Sequence, residues 1–264
     1  MTSSRSKLAA KSEGPLPLRH ARSHDYPWLA TRWRRVARKT GLGISVFAES
    51  SGYPILHVFS KSPSDDAPKI YLSAGIHGDE PATTEALLAW CESRPDFART
   101  LNLLIFPCLN PWGLVHNKRS DEEGRDLNRC YRDPLVPQIR KQCELIRTTK
   151  HDIAVILHED YDAQGAYVYE TSARRPHLGE KIIEAMSAHI PPDPRSKIDG
   201  NRCRNGVIRR RVTQDLMPDW PEAFTLHFSQ ARRVFTVETA SEFHIDARVA
   251  AHVAAIDAAL SLIR

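Results

Sequence analysis

An α/β fold is the architecture this sequence predicts: a mixed, mostly parallel twisted sheet with helices on both faces. Three observations predict it. From residue 69 onward, short apolar runs alternate with stretches of helical period. That alternation builds a mainly parallel sheet covered on both sides. The chain is 264 residues long, 41% hydrophobic and 26% charged, so one sizeable core can form. No internal repeat is present.

The elements follow in order. Residues 1–20 are polar, with Pro15 and Pro17, and are expected to be a tail; residues 21–264 are expected to form a single domain. Trp28, Leu29, Trp33 and Val36 have helical spacing over residues 26–40, and Gly41 and Gly43 end that helix. Residues 44–49 and 53–59 read as two strands about the turn Ser50-Ser51-Gly52. Strands are then expected at 69–74, 101–109, 151–157, 166–170 and 233–237. Helices are expected at 83–92, 137–149, 178–189 and 247–264. Residues 110–132 read as loop, and 195–221 as polar and Arg-rich without a clear period.

Composition excludes several classes. No apolar run approaches the ~18–20 residues of a membrane span. The N-terminal stretch has no apolar h-region, so no secretory signal is expected. Five cysteines, an odd number without a CxxC pair, suit reduced thiols rather than a disulfide framework. A cytoplasmic location is the expectation. The net charge of +5 is uneven. Residues 1–50 hold ten Lys and Arg against three acids, a net of +7, and the remainder carries −2. Such an end could meet nucleic acid, but no nucleic-acid module is present, and a solvated helix face with a tail is the expectation.

Ligands of α/β sheets sit outside the carboxyl ends of the strands. Four predicted strand ends carry chemistry here. Gly75-Ile76-His77-Gly78-Asp79-Glu80 follows the first, Asn110-Pro111-Trp112-Gly113 the second, His158-Glu159-Asp160 the third and Glu238-Thr239-Ala240 the fourth. A structural core has no reason to repeat polar residues there. His77 and Glu80 can reach one metal ion if the chain turns sharply, and Gly75 and Gly78 permit the turn. His158 suits a third ligand, which leaves a position open for water. Two His and one carboxylate suit zinc, and the same set with open positions can hold iron.

The segments GIHGDEPA, NPWG, Arg119 to Arg129 ending in Gly-Arg-Asp-Leu-Asn-Arg, LHED and VETA together resemble the zinc carboxypeptidase superfamily. That superfamily includes carboxypeptidase A-like enzymes, murein peptide amidases and the succinylglutamate desuccinylase/aspartoacylase branch. The likeness spans residues 69–240, about two thirds of the chain. It implies a zinc-carboxypeptidase-like fold with one zinc ion per chain, held by His77, Glu80 and His158. Glu238 aligns with the carboxylate that takes a proton from zinc-bound water and passes it to the leaving amine. Arg119 aligns with the arginine facing the developing oxyanion, and Asn128 with Arg129 as the pair gripping a substrate carboxylate. Asp126 would orient a neighbour.

The implied activity is hydrolysis of the C-terminal amide bond of a peptide. The alternative is an N-acyl amino acid deacylase or murein peptide amidase with the same machinery. Either takes a substrate with a free carboxylate. One departure stands out: between Ala188 and Glu238 there is no tyrosine to close over the substrate, and Trp220 is the large aromatic with a polar handle there. Tyr161, Tyr167 and Tyr169 lie nearer His158 and could face the pocket or belong to the strand core, and core is the expectation. The acidic tract His158 to Asp162 would favour basic substrates if Glu159, Asp160 or Asp162 faced the cleft, and would say nothing if it were solvated loop.

Overall fold

The computed structural model describes residues 20–62, 64–133, 135–171 and 174–263. The expected tail, residues 1–20, lies outside them except for His20. The elements run α1 (Tyr26–Thr40), β1 (Gly43–Ser50), β2 (Tyr53–Phe59), β3 (Lys69–Ser73), α2 (Pro81–Ser93), α3 (Phe97–Thr100) and β4 (Asn102–Phe106). Then come α4 (Pro111–His116), α5 (Pro137–Arg147), β5 (Ile153–Asp160), β6 (Tyr167–Glu170) and α6 (Gly179–Met186). The chain finishes with β7 (Lys197–Ile198), β8 (Asn201–Arg204), β9 (Val207–Arg209), α7 (Glu222–Phe228), β10 (Val234–Ala240) and α8 (Ile245–Leu260).

Ten strands form one mixed sheet in the order β1-β2-β4-β3-β5-β10-β6-β9-β8-β7. Parallel pairing occupies the centre, β4-β3-β5-β10, and recurs between β6 and β9. The remaining pairs, β1-β2, β2-β4, β10-β6, β8-β9 and β7-β8, are antiparallel, so the flanks are less parallel than the sequence predicts. Hairpins account for β1-β2, β7-β8 and β8-β9. Short turns such as Ser51-Gly52 can join only antiparallel strands.

Strand alternation sends side chains to two cores. Ile70, Leu72, Val155, Leu157 and Val237 pack with α1, α2, α6 and α8 on one face. Tyr71, Phe106, Ala154, Ile156 and Val234 pack with α5 and α7 on the other. At about 25 cal/mol per Å² of buried apolar surface, each fully buried Leu or Ile contributes about 1.5–3 kcal/mol. Local signals set the element ends. Asp25 accepts a hydrogen bond from Trp28 N at the start of α1, and Gly41 ends the helix in the left-handed region at φ 80°. All five cysteines are free and buried, as their spacing predicts.

Besides α3 and α7, which the sequence reading did not include, residues 110–132 and 195–221 differ from it. Residues 110–132 contain α4 and a 3₁₀ turn, Leu127–Arg129. Asn110 caps α4 by accepting from Gly113 N at 2.9 Å, and Asp126 caps the 3₁₀ turn by accepting from Asn128 N at 2.9 Å. Six and three residues are too short to show a period, so capping rather than amphipathicity defines them. Residues 195–221 contain β7, β8 and β9, stabilised by pairing to each other and to β6 rather than by an apolar pattern. Among the described residues, no helix is long and apolar enough to cross a membrane.

Candidate active site

The site lies at the carboxyl ends of β3, β5 and β10. β5 and β10 stay paired through Asp160 and Ala240, so both are longer than their apolar runs suggest. His158 and Glu238 therefore sit within the strands rather than after them, directly opposite each other in register. Neighbouring strands lie ~4.8 Å apart. Both side chains belong to the face of the sheet that carries Ile156 and Thr236.

After β3 the backbone turns at once into α2. Gly75 adopts φ 62°, a left-handed conformation that L side chains avoid. Gly78 is needed for another reason: a Cβ there would stand 1.9 Å from the Gly113 carbonyl carbon of α4. Its N–H donates to Lys118 O at 3.0 Å. That close approach brings His77 and Glu80 under β5.

His77, Glu80 and His158 meet as one buried cluster, with one ligating atom from each lying within 4.8 Å of the others. Both imidazoles turn Nδ1 towards the Glu80 carboxylate. His77 Nδ1 lies 2.6 Å from Oε1, and His158 Nδ1 lies 3.0 Å from Oε2. Their other nitrogens are held from behind. His77 Nε2 is 3.1 Å from Asp126 Oδ1, and His158 Nε2 is 3.4 Å from Asn128 Nδ2. A carboxylate behind the ring, as Asp126 is behind His77, sets the orientation of a metal-ligating histidine. Two imidazole nitrogens and a carboxylate converging in a buried spot fit a divalent metal ion.

The electrostatics follow from this packing. Burial opposes charge on Glu80, but the two imidazoles outweigh it and hold the carboxyl well below its usual range. Burial likewise opposes a proton on His77, while the Glu80 charge and the Asp126 hydrogen bond lift it to about 9. A dication bound here would compete with protons for the same nitrogens. Glu238 is pushed up to about 8, chiefly by burial; His158 opposes this, and the Glu80 and Asp160 charges add to it.

Arg119 places its guanidinium between two acids. Nη2 donates to Asp126 Oδ2 at 3.1 Å, and Nη1 is 3.6 Å from Glu80 Oε1. Arg129 is exposed and donates from Nη1 to Asn128 O at 3.0 Å. Among the described residues it makes no ion pair with an acid. The Asn128 side chain is largely engaged within the protein: Oδ1 accepts from Glu222 N at 2.9 Å, and Nδ2 faces His158. All these residues except Asp126 line one cavity of about 1000 Å³, with Ile156, Thr236 and Phe224 along its wall.

The aromatic and acidic expectations resolve individually. Tyr167 is buried and donates to Asp160 Oδ2 at 2.9 Å; Tyr169 is half-buried and donates to Asp199 at 2.7 Å. Tyr161 is not strand core: it follows β5 and is 82% exposed at the cavity. Trp220 stacks on Phe228 at 4.7 Å and carries the Arg132 guanidinium over its ring. In the acidic tract, Glu159 bonds to Ala82 N and Arg248, while Asp160 receives Tyr167 and faces Arg195. All three acids line the cavity; the charges of Glu159 and Asp160 are met from within the protein, while Asp162 is exposed there.

Sequence reasoning missed a supporting layer. Glu222, the first residue of α7, is buried and accepts from Tyr71 Oη and from Gln142 Nε2, the latter at 3.0 Å. Gln142 in turn accepts from Tyr131 Oη at 2.8 Å. Burial pushes the Glu222 carboxyl up. Its backbone N–H fixes the Asn128 amide. The only sequence signal was an acid in an unpatterned stretch.

Residues 66–171 match the family model of the succinylglutamate desuccinylase/aspartoacylase catalytic domain. A search of curated proteins finds no significant match. Among solved structures, a Shewanella amazonensis SB2B protein assigned to the metallopeptidases aligns with TM-score 0.82 at 22% identity, covering 91% of this chain and 94% of its own. A metallo-carboxypeptidase from Burkholderia cenocepacia aligns with TM-score 0.67 at 16% identity, covering 89% and 67%. Carboxypeptidase A from Helicoverpa armigera aligns with TM-score 0.65 at 15% identity, covering 89% and 73%. At these identities the structural likeness establishes the fold. The family match covers residues 66–171, fewer than half of the 264, and spans His77, Glu80 and His158, which the fold brings together.

Proposed function

We propose that this protein is a zinc-dependent metallocarboxypeptidase that hydrolyses the C-terminal amide bond of a peptide. The observation that carries the proposal is the convergence of His77, Glu80 and His158 beside Glu238, in a cavity that also presents the exposed Arg129. His77 and His158 would hold the ion through Nδ1, and Glu80 through its carboxylate. When bound there, zinc supplies a Lewis acid that brings the pKa of water down to about 7.

The chain's own residues do the rest. Arg129 offers a guanidinium fork to the substrate's terminal carboxylate and so sets which amide bond reaches the centre. Glu238, opposite His158, accepts a proton from the attacking water and returns it to the leaving nitrogen. Arg119 presents a fixed positive charge beside Glu80, where negative charge develops on the carbonyl oxygen. Asp126 accepts from His77 Nε2–H and so keeps Nδ1 of that ring facing inward. The cavity walls at Ile156, Thr236 and Phe224 receive the leaving residue.

The family match over residues 66–171 favours a second reading, an N-acyl amino acid deacylase with the same centre. Elemental analysis of the purified protein, run beside a panel of acyl-dipeptides and N-acyl amino acids, separates the two. One zinc per chain with chelator-sensitive release of the C-terminal residue is expected. Turnover of acyl amino acids alone would move the protein to the deacylase reading. Absence of both metal and turnover would refute both.

A further inference from the structure

Glu80 occupies the N-cap position of α2, yet its side chain makes no capping bond, because the carboxylate is turned to His77 and His158. A helix start leaves its first N–H groups without partners inside the helix. An Asp at this place ordinarily supplies the acceptor from its own side chain, as Asp25 does for α1. In α2 the acceptor comes from another element. Glu159 follows His158 on β5, so strand alternation sends its side chain to the opposite face, towards α2 and α8. It is buried, and its Oε1 accepts from Ala82 N at 2.6 Å. Its Oε2 is taken by Arg248 Nη1 from α8. Both carboxylate oxygens are thus committed, one to the start of α2 and one to a helix on the same layer.

We infer that Glu159 is a positioning residue for the metal centre: it caps α2 in place of Glu80 and so frees and aims the Glu80 carboxylate. One strand dipeptide, His158-Glu159, then does two jobs. His158 faces the ion, and Glu159 clamps the turn that brings the other two ligands. Arg248 keeps Glu159 extended towards Ala82 and meets its charge, so the acid does not compete for the site. The inference rests on the reading that His77, Glu80 and His158 bind a metal.

The test uses the full chain and zinc alone, in competition with a chromophoric chelator, at a temperature where every metal-free variant is folded. Glu159→Ala is expected to raise the zinc dissociation constant roughly 10- to 100-fold, the range for residues that orient ligands. Glu159→Gln keeps a carbonyl oxygen for Ala82 N–H and is expected to stay much nearer the wild type. Cobalt-loaded Glu159→Ala is expected to show an altered visible spectrum, because the geometry at the ion changes. A purely structural role would lower the thermal midpoint of the metal-free protein but leave zinc affinity and the cobalt spectrum unchanged, and that result overturns the inference. If Glu159→Ala does not fold, Arg248→Met decides: weaker zinc binding with a folded metal-free protein supports the clamp, and unchanged binding overturns it. A wild type that binds no zinc overturns the metal reading itself, and this inference with it.

Discussion

Glu238 lies opposite His158 on a parallel pair of strands, so its distance from the metal cluster is set by backbone register rather than by a flexible loop. This makes its role testable with little risk to the fold. Glu238→Gln preserves shape and removes the proton acceptor. It is expected to lower kcat by roughly 10³-fold, within the range for general acid–base groups, while zinc stays bound. Full activity with retained zinc would remove Glu238 from the mechanism. Arg129 is exposed and unpaired by any acid among the described residues, so the proposed carboxylate grip can be tested there with little cost in stability. Arg129→Met is expected to cost roughly 10- to 100-fold in kcat/KM, the worth of a hydrogen-bonded charge, mostly through KM. An unchanged KM would place the carboxylate grip elsewhere.

At the scale of elements, the turn from β3 into α2 is the critical joint. Gly78 lets it pack on α4 without a gap, and a methyl group there would overlap the Gly113 carbonyl carbon at 1.9 Å. Because backbone rather than a flexible side chain is in the way, Gly78→Ala is expected to destabilise the fold by about 3 kcal/mol, the upper end for overpacking. It is also expected to weaken metal binding, since His77 and Glu80 flank it. Thermal unfolding and zinc titration of that variant check both effects; a wild-type midpoint would mean that the turn yields. Elements also mark where local patterning ends. The extensions of β5 to Asp160 and of β10 to Ala240 come from mutual pairing, and their polar tips gave no apolar signal. The short strands β7 to β9 form for the same reason.

At the scale of the whole molecule, buried neutral histidines link stability to pH. His151 is buried with Nε2 unpartnered, and burial lowers its pKa from 6.5 to about 4. The unfolded chain therefore binds a proton more readily than the native one between these values. This contribution to stability is fully present above pH 6.5 and is lost as pH falls from 6.5 towards 4. A gap of that size is worth about 3 kcal/mol. Denaturant melts of the wild type and of His151→Asn across that window measure it. The wild type is expected to lose stability more steeply towards pH 4, and parallel curves would refute the assignment.

Residue type and strand-end position pointed to His77, Glu80, His158 and Glu238, because each stands within a few positions of an apolar run that marks a strand, and the family resemblance supplied their expected roles. The α/β class and the order of most elements were legible for the same reason: periodicity and capping act over a few residues. Only the tertiary structure decided which nitrogen of His77 faces inward, because Asp126, which holds the ring, lies 49 residues away. It also decided that Glu159 serves α2, 77 residues back in the chain, and that Glu222 supports Asn128 across 94 residues. Such contacts depend on how layers stack around a common core. A buried acid in a local stretch of sequence carries no mark of which distant donor it will meet.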